Sequence, residues 1–291
     1  MKSINCQGLS RRDRIQQECF EADTNKVFIY ADLSAGEPTV LAHYSQDPNY
    51  LNATLRMIGK MPYYDKTGVL ILSDPYIMVA SKFDKWKVAI REAFEATDYE
   101  GGKSGFDMWV ENEDVVKARV KKIRNYAKTL GLALVYGMGA KRMVLQAQMN
   151  RFDLTLKEAK EFKDLFWSIF PYAKKLGDKL AVQFASKGVI INDFGYALYP
   201  EADYKCMNAV IQSSVSGIMD LFGMIFFEKT KKARFITYIH DEIVFEVAKE
   251  DLEQVKAIFY DSVQQLNKML GWSVPIRFGW AESETFYIEG K

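Results

Sequence analysis

The sequence predicts an α+β fold in which a sheet is interrupted by a helical insertion. One run of β-branched and aromatic residues lies near the start, at 26–31, and two more flank a polar turn at 240–242. The long stretch between these runs carries mostly helical signals. This order suggests that the early strand and the late hairpin belong to one sheet.

The individual elements follow from local patterns. The first strand, Lys26–Ala31, ends at Asp32, and Gly188–Tyr199 reads as a second hairpin because it alternates around turn residues. A final strand is predicted over Val274–Trp280. Helices are predicted over 37–45, from 74 to about 97 with breaks, and over 114–136, which is the longest helical stretch. The Thr155/Glu158 capping box opens the next helix, which ends before Pro171, and a further helix follows to about 186. The last two predicted helices cover 203–228 and 252–270.

The composition is ordinary for a globular protein of 291 residues, with 48% hydrophobic and 26% charged residues. A net charge of +1 gives no global basic excess, so a nucleic-acid-binding surface would have to be local. Cys6, Cys19 and Cys206 form no metal or disulfide pattern and are predicted to be buried free thiols. The N-terminus lacks the apolar core of a signal peptide, and the longest apolar run, 221–227, is too short to span a bilayer. The chain is therefore predicted to be soluble and cytoplasmic.

The turn His240-Asp241-Glu242 is the first candidate site. Because a β-hairpin is rigid, it would hold Asp241 and Glu242 exposed at a fixed position. Adjacent carboxylates repel each other unless a cation or a hydrogen-bond network satisfies them. Mg²⁺ takes hard oxygen ligands, usually one or two carboxylates together with substrate phosphates. For this stretch alone, an acidic turn without a ligand is an equally good explanation.

Asp32 ends the first strand, and Glu37 follows five residues later. If that strand lies beside the late hairpin, Asp32 and Asp241 can converge. Two carboxylates that share two divalent cations about 4 Å apart would clamp a phosphoryl transfer. Taken alone, Asp32 is better explained as the N-cap of the following helix.

A basic stripe runs along the helix predicted over 114–136. Arg124, Lys128, Leu132 and Tyr136 are spaced four residues apart and therefore share one slanted face. An arginine and a lysine one turn apart suit a polyphosphate, and Tyr136 offers a ring on which a base could stack. A solvated basic face is the commoner explanation of such a charge run.

Asn208 and Gln212 lie one turn apart on the helix predicted over 203–228. Their amides could donate to the purine N3 and pyrimidine O2 acceptors that every base pair presents in the minor groove. Such contacts test the shape of a base pair rather than its sequence. Standing alone, the two residues would be read as surface amides.

Together and in this order, three segments form a highly specific sequence signature. They are Asp32-Leu33-Ser34-Ala35-Gly36-Glu37, Arg124-Asn125-Tyr126-Ala127-Lys128 continuing to 134–138, and Ile239-His240-Asp241-Glu242-Ile243-Val244-Phe245-Glu246. They resemble motifs A, B and C of the family A (DNA polymerase I type) DNA polymerases, in a form typical of bacteriophages. The resemblance runs from about Cys19 to the C-terminus. It implies a right-hand polymerase fold, with a palm of antiparallel sheet and packed helices over 1–45 and 193–291 and a helical fingers subdomain inserted over 46–192.

The resemblance also implies a role for each matching residue. Asp32 and Asp241, with the Leu33 carbonyl, would bind two Mg²⁺ ions, or Mn²⁺ in their place, and Glu242 would support them. The deoxynucleoside triphosphate (dNTP) would be bound by Glu37, Tyr76, Arg124, Lys128, Leu132 and Tyr136. Glu37 would exclude a ribose 2′-hydroxyl, and Lys128 would act as a catalytic residue by protonating the leaving pyrophosphate. Primer and template would be bound by Tyr136, Gly137, Asn208, Gln212 and His240.

The sequence departs from the family pattern at several positions. Leu132 stands in place of the aromatic residue that stacks on the incoming sugar, and Tyr76 in place of a phosphate-contacting histidine. Tyr204 stands where a basic residue is expected, one turn before Asn208. The segment between motifs A and B is longer than usual, with the extra length near Phe83–Asn112.

Only 31 residues precede Asp32, whereas family members carry a thumb, an upstream palm segment and often a 3′–5′ exonuclease before motif A. Either the chain is a trimmed product or the polymerase is split across two chains. We expect the split form, in which thumb and exonuclease are absent from this chain and a protein partner supplies them. A thumb grips duplex DNA through its phosphates, so its loss should weaken DNA binding and steepen its salt dependence.

The predicted reaction is two-metal-ion addition of dNTPs to a primer 3′-hydroxyl on primer–template DNA. Three alternatives are a catalytically weak DNA-binding structural subunit, an RNA-directed polymerase and a two-metal nuclease. The retained acids argue against the first, Glu37 against ribonucleotide use, and the basic stripe against the nuclease.

Overall fold

The structure is a computed structural model that describes residues 18–58, 63–64, 70–71, 74–95 and 120–286 of the chain. It divides into two compact units. The first comprises the chain up to Glu37 and from Ser213 onward, and the second comprises Pro38–Gln212. Both boundaries fall inside helices.

Strands and helices are numbered in chain order over the described residues. The strands are β1 (Lys26–Asp32), β2 (Tyr63–Tyr64), β3 (Leu70–Ile71), β4 (Ile190–Ile191), β5 (Ala197–Leu198), β6 (Ala233–Ile239), β7 (Glu242–Ala248) and β8 (Ala281–Ser283). The helices are α1 (Gly36–Ser45), α2 (Pro48–Met57), α3 (Pro75–Ala80), α4 (Lys87–Glu95), α5 (Lys121–Val135), α6 (Ala140–Met149), α7 (Leu156–Ile169), α8 (Pro171–Lys187), α9 (Cys206–Lys229) and α10 (Leu252–Leu270).

The first unit is built on a four-stranded sheet with the order β6-β7-β1-β8, in which all pairs are antiparallel. β1 pairs with β7 along its whole length, from Lys26 opposite Ala248 to Asp32 opposite Glu242. The prediction that the early strand lies beside the late hairpin is therefore confirmed.

The late hairpin is tighter than predicted. Its last strand pair joins Ile239 to Glu242, which leaves only His240 and Asp241 in the turn. Glu242 was predicted to lie exposed in that turn, but it is the first residue of β7 and is buried. Its position follows from the strand register, which a polar triplet in the sequence does not reveal.

Both faces of this sheet are packed. Because side chains alternate along a strand, Phe245 of β7 lies on the face covered by α9 and α10. Its ring centroid is 5.0 Å from that of Phe226, and Phe222 lies 5.2 Å from Phe259 of α10. The opposite face carries a smaller cluster of buried residues, namely Phe28, Tyr30, Val244 and Phe286. Burial of these large rings stabilises the sheet.

The second unit is mainly helical and has an aromatic core. Phe162, Phe166 and Phe170 along and after α7 are fully buried. Tyr50 of α2 packs on Phe170 with ring centroids 4.9 Å apart. A Cβ at Gly131 of α5 would lie 3.1 Å from the Phe166 ring, so the glycine permits α5 to approach this core closely.

Two helices of the second unit begin in the same way. Asp47-Pro48 starts α2, and Asp74-Pro75 starts α3. In each, one carboxylate oxygen of the aspartate accepts hydrogen bonds from the backbone N–H groups two and three residues later, at 2.9–3.1 Å. Both aspartates are 0% exposed. Proline suits the first helical position because that position needs no N–H donor. Only the second of these starts was predicted.

Several further elements are confirmed. The Thr155/Glu158 capping box opens α7, and α8 ends one residue past its predicted end. The short hairpin predicted over Gly188–Tyr199 is formed by β4 and β5. The boundaries of strand β1 and of helices α1 and α10 also lie within two residues of those predicted.

The prediction of a final strand over Val274–Trp280 was wrong. Those residues are alternately buried, but they form only one isolated bridge, between Phe278 and Leu33, and the strand β8 begins at Ala281. Pro275 has no N–H, and the Ile276 N–H donates to the side-chain oxygen of Asn267 at 2.6 Å. The segment is therefore extended without a continuous ladder.

Other predictions need correction as well. Helices α2 and α6 were not predicted. The sequence signal for α6 is weak, because the helix has only two buried residues and no side-chain cap. Among the described residues the longest helix is α9, with 24 residues, rather than α5, with 15. Cys206 is buried as predicted, but Cys19 is exposed. Cys6 and most of the extra length near Phe83–Asn112 lie outside the described residues.

One helix in the described part, residues 203–229, is long and apolar enough to cross a membrane by length and composition alone. The prediction from the run 221–227 overlooked it. In its most apolar window 61% is buried inside the protein, as is usual for a core helix.

Candidate active site

The candidate residues fall into two groups, one in each unit. The first unit holds Asp32, Leu33, Glu37, His240, Asp241 and Glu242. The second unit holds Tyr76, Arg124, Lys128, Leu132, Tyr136, Gly137, Asn208 and Gln212. The acids thus share one unit, and the basic stripe shares the other with the two amides.

Asp32 and Asp241 lie at the same end of neighbouring strands. Asp32 is the last residue of β1, and Asp241 is the second residue of the β6–β7 turn. The backbone N–H of Leu33 donates to the carbonyl oxygen of Asp241 at 2.9 Å. Both aspartates are half-buried. The N-cap explanation of Asp32 is not supported, because α1 begins only at Gly36.

The turn that carries Asp241 has an unusual backbone. His240 is exposed and adopts a φ of 56°, in the left-handed region. That conformation costs a residue other than glycine roughly 1–2 kcal/mol. It matches the first central position of a two-residue hairpin turn, whose twist follows that of the flanking strands. The hairpin therefore fixes Asp241 immediately beside the end of β1.

Glu242 lies deeper than the aspartates. It is 4% exposed and stands directly opposite Asp32 in the ladder, so the two side chains share a face of the sheet with Tyr30. Burial, and to a lesser degree the Glu242 charge, raises the pKa of Tyr30 above its ordinary range. The burial of Glu242 fits a supporting role better than direct contact with a ligand.

Gly36 in the first motif leaves space for the side chain of Leu33. A Cβ on Gly36 would lie 2.7 Å from a methyl carbon of Leu33, whose side chain is 2% exposed. Leu33 therefore packs into the space that the glycine leaves at the start of α1. Glu37 follows in the first turn of that helix and is half-buried.

The donor atoms at this place suit one kind of metal site. In the part of the chain that the structure describes, no group of three or more His, Cys, Asp or Glu side chains could hold a metal ion. The candidate ligands Asp32, Asp241 and the Leu33 carbonyl would instead offer only oxygen donors, two of them carboxylates. That set fits Mg²⁺, which keeps waters and takes further ligands from phosphates, and it does not fit a closed protein-only site.

The basic stripe on α5 is accessible. Lys128 is exposed and has no ion-pair partner among the residues described, and Leu132 and Tyr136 are half-buried. The opposite face of the helix is buried through Ala127, Leu130, Gly131, Ala133, Leu134 and Val135. The helix therefore presents the stripe as one face while its other face packs in the core.

Arg124 is held by residues at the start of α3. Its Nε donates to Oδ2 of Asp74 at 2.5 Å, and its guanidinium carbon lies 5.7 Å from the centre of the Tyr76 ring. Tyr76 is only 2% exposed. Its contact with a nucleotide stays a prediction, since the structure places it against Arg124. Sequence reasoning missed the ion pair, because its partners are 50 residues apart and share no local pattern.

The end of α5 meets the start of α9 within the second unit. Gln212 donates through Nε2 to the Tyr136 hydroxyl at 2.9 Å. Gly137 has a φ of 77°, and a Cβ there would collide with the carbonyl oxygen of Tyr204. Gly137 and Tyr204 also line a cavity of about 760 Å³ that α7 and α8 border. The Asn208 side-chain oxygen is buried without a hydrogen-bond partner among the described residues.

Comparison with known proteins decides the family. Residues 108–287, more than half of the chain, match the family model for DNA polymerase family A. The chain belongs to DNA polymerase family A. The family predicted from motifs A, B and C is therefore confirmed, while a bacteriophage origin stays a prediction.

Relatives of this family A chain include two bacterial proteins named DNA polymerase I. The one from Aquifex aeolicus (strain VF5) is 24% identical over 226 residues, which are 73% of this chain and 39% of that protein. The one from Treponema pallidum (strain Nichols) is 25% identical over 285 residues, 92% of this chain and 23% of that protein. The family A chain thus spans well under half the length of either relative.

A solved structure shares the fold. The polymerase domain of Pol1 from M. smegmatis, in complex with DNA primer-template and dNTP, matches with a TM-score of 0.68 at 17% sequence identity. The match covers 97% of this family A chain and 44% of that chain. It confirms the predicted α+β polymerase fold.

Proposed function

We propose that this family A chain catalyses template-directed addition of dNTPs to the 3′-hydroxyl of a DNA primer. The observation that supports this most strongly is the Leu33–Asp241 hydrogen bond, because it sets the acids of two distant motifs side by side. The similar Pol1 structure contains primer–template DNA and dNTP, and we propose the same partners here.

Asp32, Asp241 and the Leu33 carbonyl would hold two Mg²⁺ ions, for which Mn²⁺ could substitute. When bound, such ions lower the pKa of a nucleophilic hydroxyl and stabilise negative charge on the phosphates. Asp32 and Asp241 would orient these ions at the end of β1. Glu242, buried behind them, would keep the local charge favourable for cations.

The basic stripe would bind the triphosphate. Arg124 offers a planar fork for phosphate oxygens, and exposed Lys128 offers a point charge and a proton for the leaving pyrophosphate. Leu132 would contact the sugar without stacking on it. Glu37 would exclude a ribose 2′-hydroxyl, and Tyr76 would act through its contact with Arg124.

The DNA would be read by the remaining candidates. Tyr136 and Gly137 would receive the templating base, and His240 would lie beside the primer end. Asn208 and Gln212 would contact the minor groove. Because Gln212 donates to the Tyr136 hydroxyl, contact with a base would require Gln212 to exchange that partner.

The sheet of the first unit would form the palm, and the helices of the second unit the fingers. The contact-based boundaries, at 37/38 and 212/213, differ from the predicted palm–fingers boundaries at 45/46 and 192/193. A protein partner with thumb and 3′–5′ exonuclease functions stays a prediction of the family resemblance.

A single-nucleotide extension assay tests the proposal. Four primer–templates that differ only in the templating base are incubated with excess enzyme, Mg²⁺ and each dNTP at low salt, where binding is strongest. The wild type should add only the complementary nucleotide. Asp32→Asn and Asp241→Asn should abolish addition while leaving DNA binding nearly unchanged.

Asp261→Asn is the matched control, because Asp261 is an exposed acid of the same unit that pairs with Lys229. It should extend the primer like the wild type. A wild type that binds DNA without adding a nucleotide would support the structural-subunit alternative instead. Addition that ignores the template would also contradict the proposal.

A further inference from the structure

Asp74 has two separate tasks, one for each carboxylate oxygen. Oδ1 accepts from the backbone N–H groups of Tyr76 and Ile77 and so caps α3. Oδ2 accepts from Nε of Arg124 at 2.5 Å. The carboxylate is 0% exposed, whereas the Arg124 side chain is 25% exposed. A fixed, buried anion therefore pairs with a cation whose side chain is partly exposed.

The ion pair uses only one of the five N–H groups of the guanidinium. Bonding through Nε leaves the four N–H groups on the two terminal nitrogens outside this contact. The Tyr76 ring lies 5.7 Å from the guanidinium carbon and limits its movement on another side. Both restraints come from the first residues of α3, so they act as one rigid support.

We propose that Asp74 is a positioning residue that orients the terminal nitrogens of Arg124 towards an incoming triphosphate. This inference rests on the proposed role of Arg124. Two physical effects of Asp74 oppose each other, and this makes the proposal testable. Its charge offsets that of Arg124 and weakens attraction to phosphate, whereas its hydrogen bond fixes the fork and lowers the entropy lost on binding.

The substitution Asp74→Asn separates these effects. An asparagine oxygen still accepts the cap hydrogen bonds, but the negative charge is lost and an amide N–H₂ can face Arg124. If charge dominates, phosphate binding tightens. If orientation dominates, as proposed, phosphate binding weakens.

Asp47 offers a matched control within the same unit. It is equally buried, is followed by proline and caps α2 with the same geometry. Its second oxygen accepts from the backbone N–H groups of Tyr172 and Ala173, at 2.8 and 3.3 Å, and not from a cation. Asp47→Asn should therefore destabilise the fold about as much as Asp74→Asn does, while the contact of Arg124 with Asp74 stays intact.

The test measures binding of inorganic tripolyphosphate by titration calorimetry and the KM for dNTP in the extension assay. Asp74→Asn should weaken both by roughly 10- to 100-fold with a smaller change in kcat, and Asp47→Asn should change them less than about twofold. Arg124→Lys, which leaves Asp74 in place, should also weaken binding. Adding Asp74→Asn to Arg124→Gln should cause no further loss. Thermal unfolding checks that each variant is folded.

Unchanged or tighter tripolyphosphate binding by Asp74→Asn would overturn the proposal, as would an equal loss in Asp47→Asn. Absence of tripolyphosphate binding by the wild type would overturn it as well. Failure of the proposed function is separate: it would show as a wild type that binds tripolyphosphate but adds no nucleotide.

Discussion

Asp32 stands directly opposite Glu242 in the β1–β7 ladder. Like charges at opposed positions of a sheet are destabilising, and Glu242 is also buried. A sequence selected only for stability would avoid this pair. The pair is understandable if a cation binds at the end of β1, because ligand sites often conflict with local stability.

Removing one charge should therefore stabilise the metal-free protein. We expect Asp32→Asn to raise the free energy of unfolding by about 0.5–1 kcal/mol, measured by urea denaturation in a chelator. Mg²⁺ should then stabilise the wild type and not the variant, since only a folded site binds it. A variant less stable than the wild type would contradict this account of the Asp32–Glu242 pair.

Arg124 should matter for stability as well as for binding. Its loss in Arg124→Ala leaves Asp74 buried without its cation, which we expect to cost about 3 kcal/mol in urea denaturation. Lys128→Ala, one turn away on the exposed stripe, should change the unfolding free energy by less than about 0.5 kcal/mol yet still slow nucleotide addition. Equal unfolding free energies of the two variants would show that the Asp74–Arg124 ion pair contributes little to stability.

Tyr136 separates the role of a ring from that of a hydroxyl. Tyr136→Phe keeps the ring and loses the hydrogen bond from Gln212, so we expect nucleotide addition within about twofold of the wild type. Tyr136→Ala removes the stacking surface and should lower the rate by at least about tenfold. Extension rates for matched and mismatched nucleotides check this. A larger defect in the phenylalanine variant would place the function in the hydroxyl.

Gly36 should be intolerant of a side chain. Gly36→Ala must displace Leu33, and overpacking of this kind costs about 1–3 kcal/mol. Because the Leu33 carbonyl is a proposed ligand, the affinity for Mg²⁺ should fall too. Gly139→Ala is the control, since a Cβ there would meet no atom within 4 Å. Thermal unfolding of both variants, with and without Mg²⁺, measures the difference.

The sequence was most informative where a pattern is local or a motif is contiguous. Runs of β-branched and aromatic residues predicted β1 and β7, helical spacing predicted α10, and the three motifs together indicated the family. Pairing of β1 with β7 followed because motifs A and C carry the acids of one site. In the stripe on α5, Lys128 is exposed, whereas Arg124, Leu132 and Tyr136 are half-buried.

The parts that sequence reasoning missed depend on partners far away in the chain. The burial of Glu242 follows from hairpin register, and the extended segment after Val274 lacks a ladder partly because Asn267 takes the Ile276 N–H. The Asp74–Arg124 ion pair joins α3 to α5, and no local rule connects them. Asp47-Pro48 was different, because its cap signal was present in the sequence and was overlooked.

The central claim is that Asp32 and Asp241 jointly hold divalent cations. Electron paramagnetic resonance of Mn²⁺ tests it most directly, with primer–template DNA and dNTP present and the Asp261→Asn protein as control. The account predicts tight Mn²⁺ binding by the wild type and the control, and its loss in both Asp32→Ala and Asp241→Ala. Binding by either alanine variant with the stoichiometry and affinity of the wild type would contradict it.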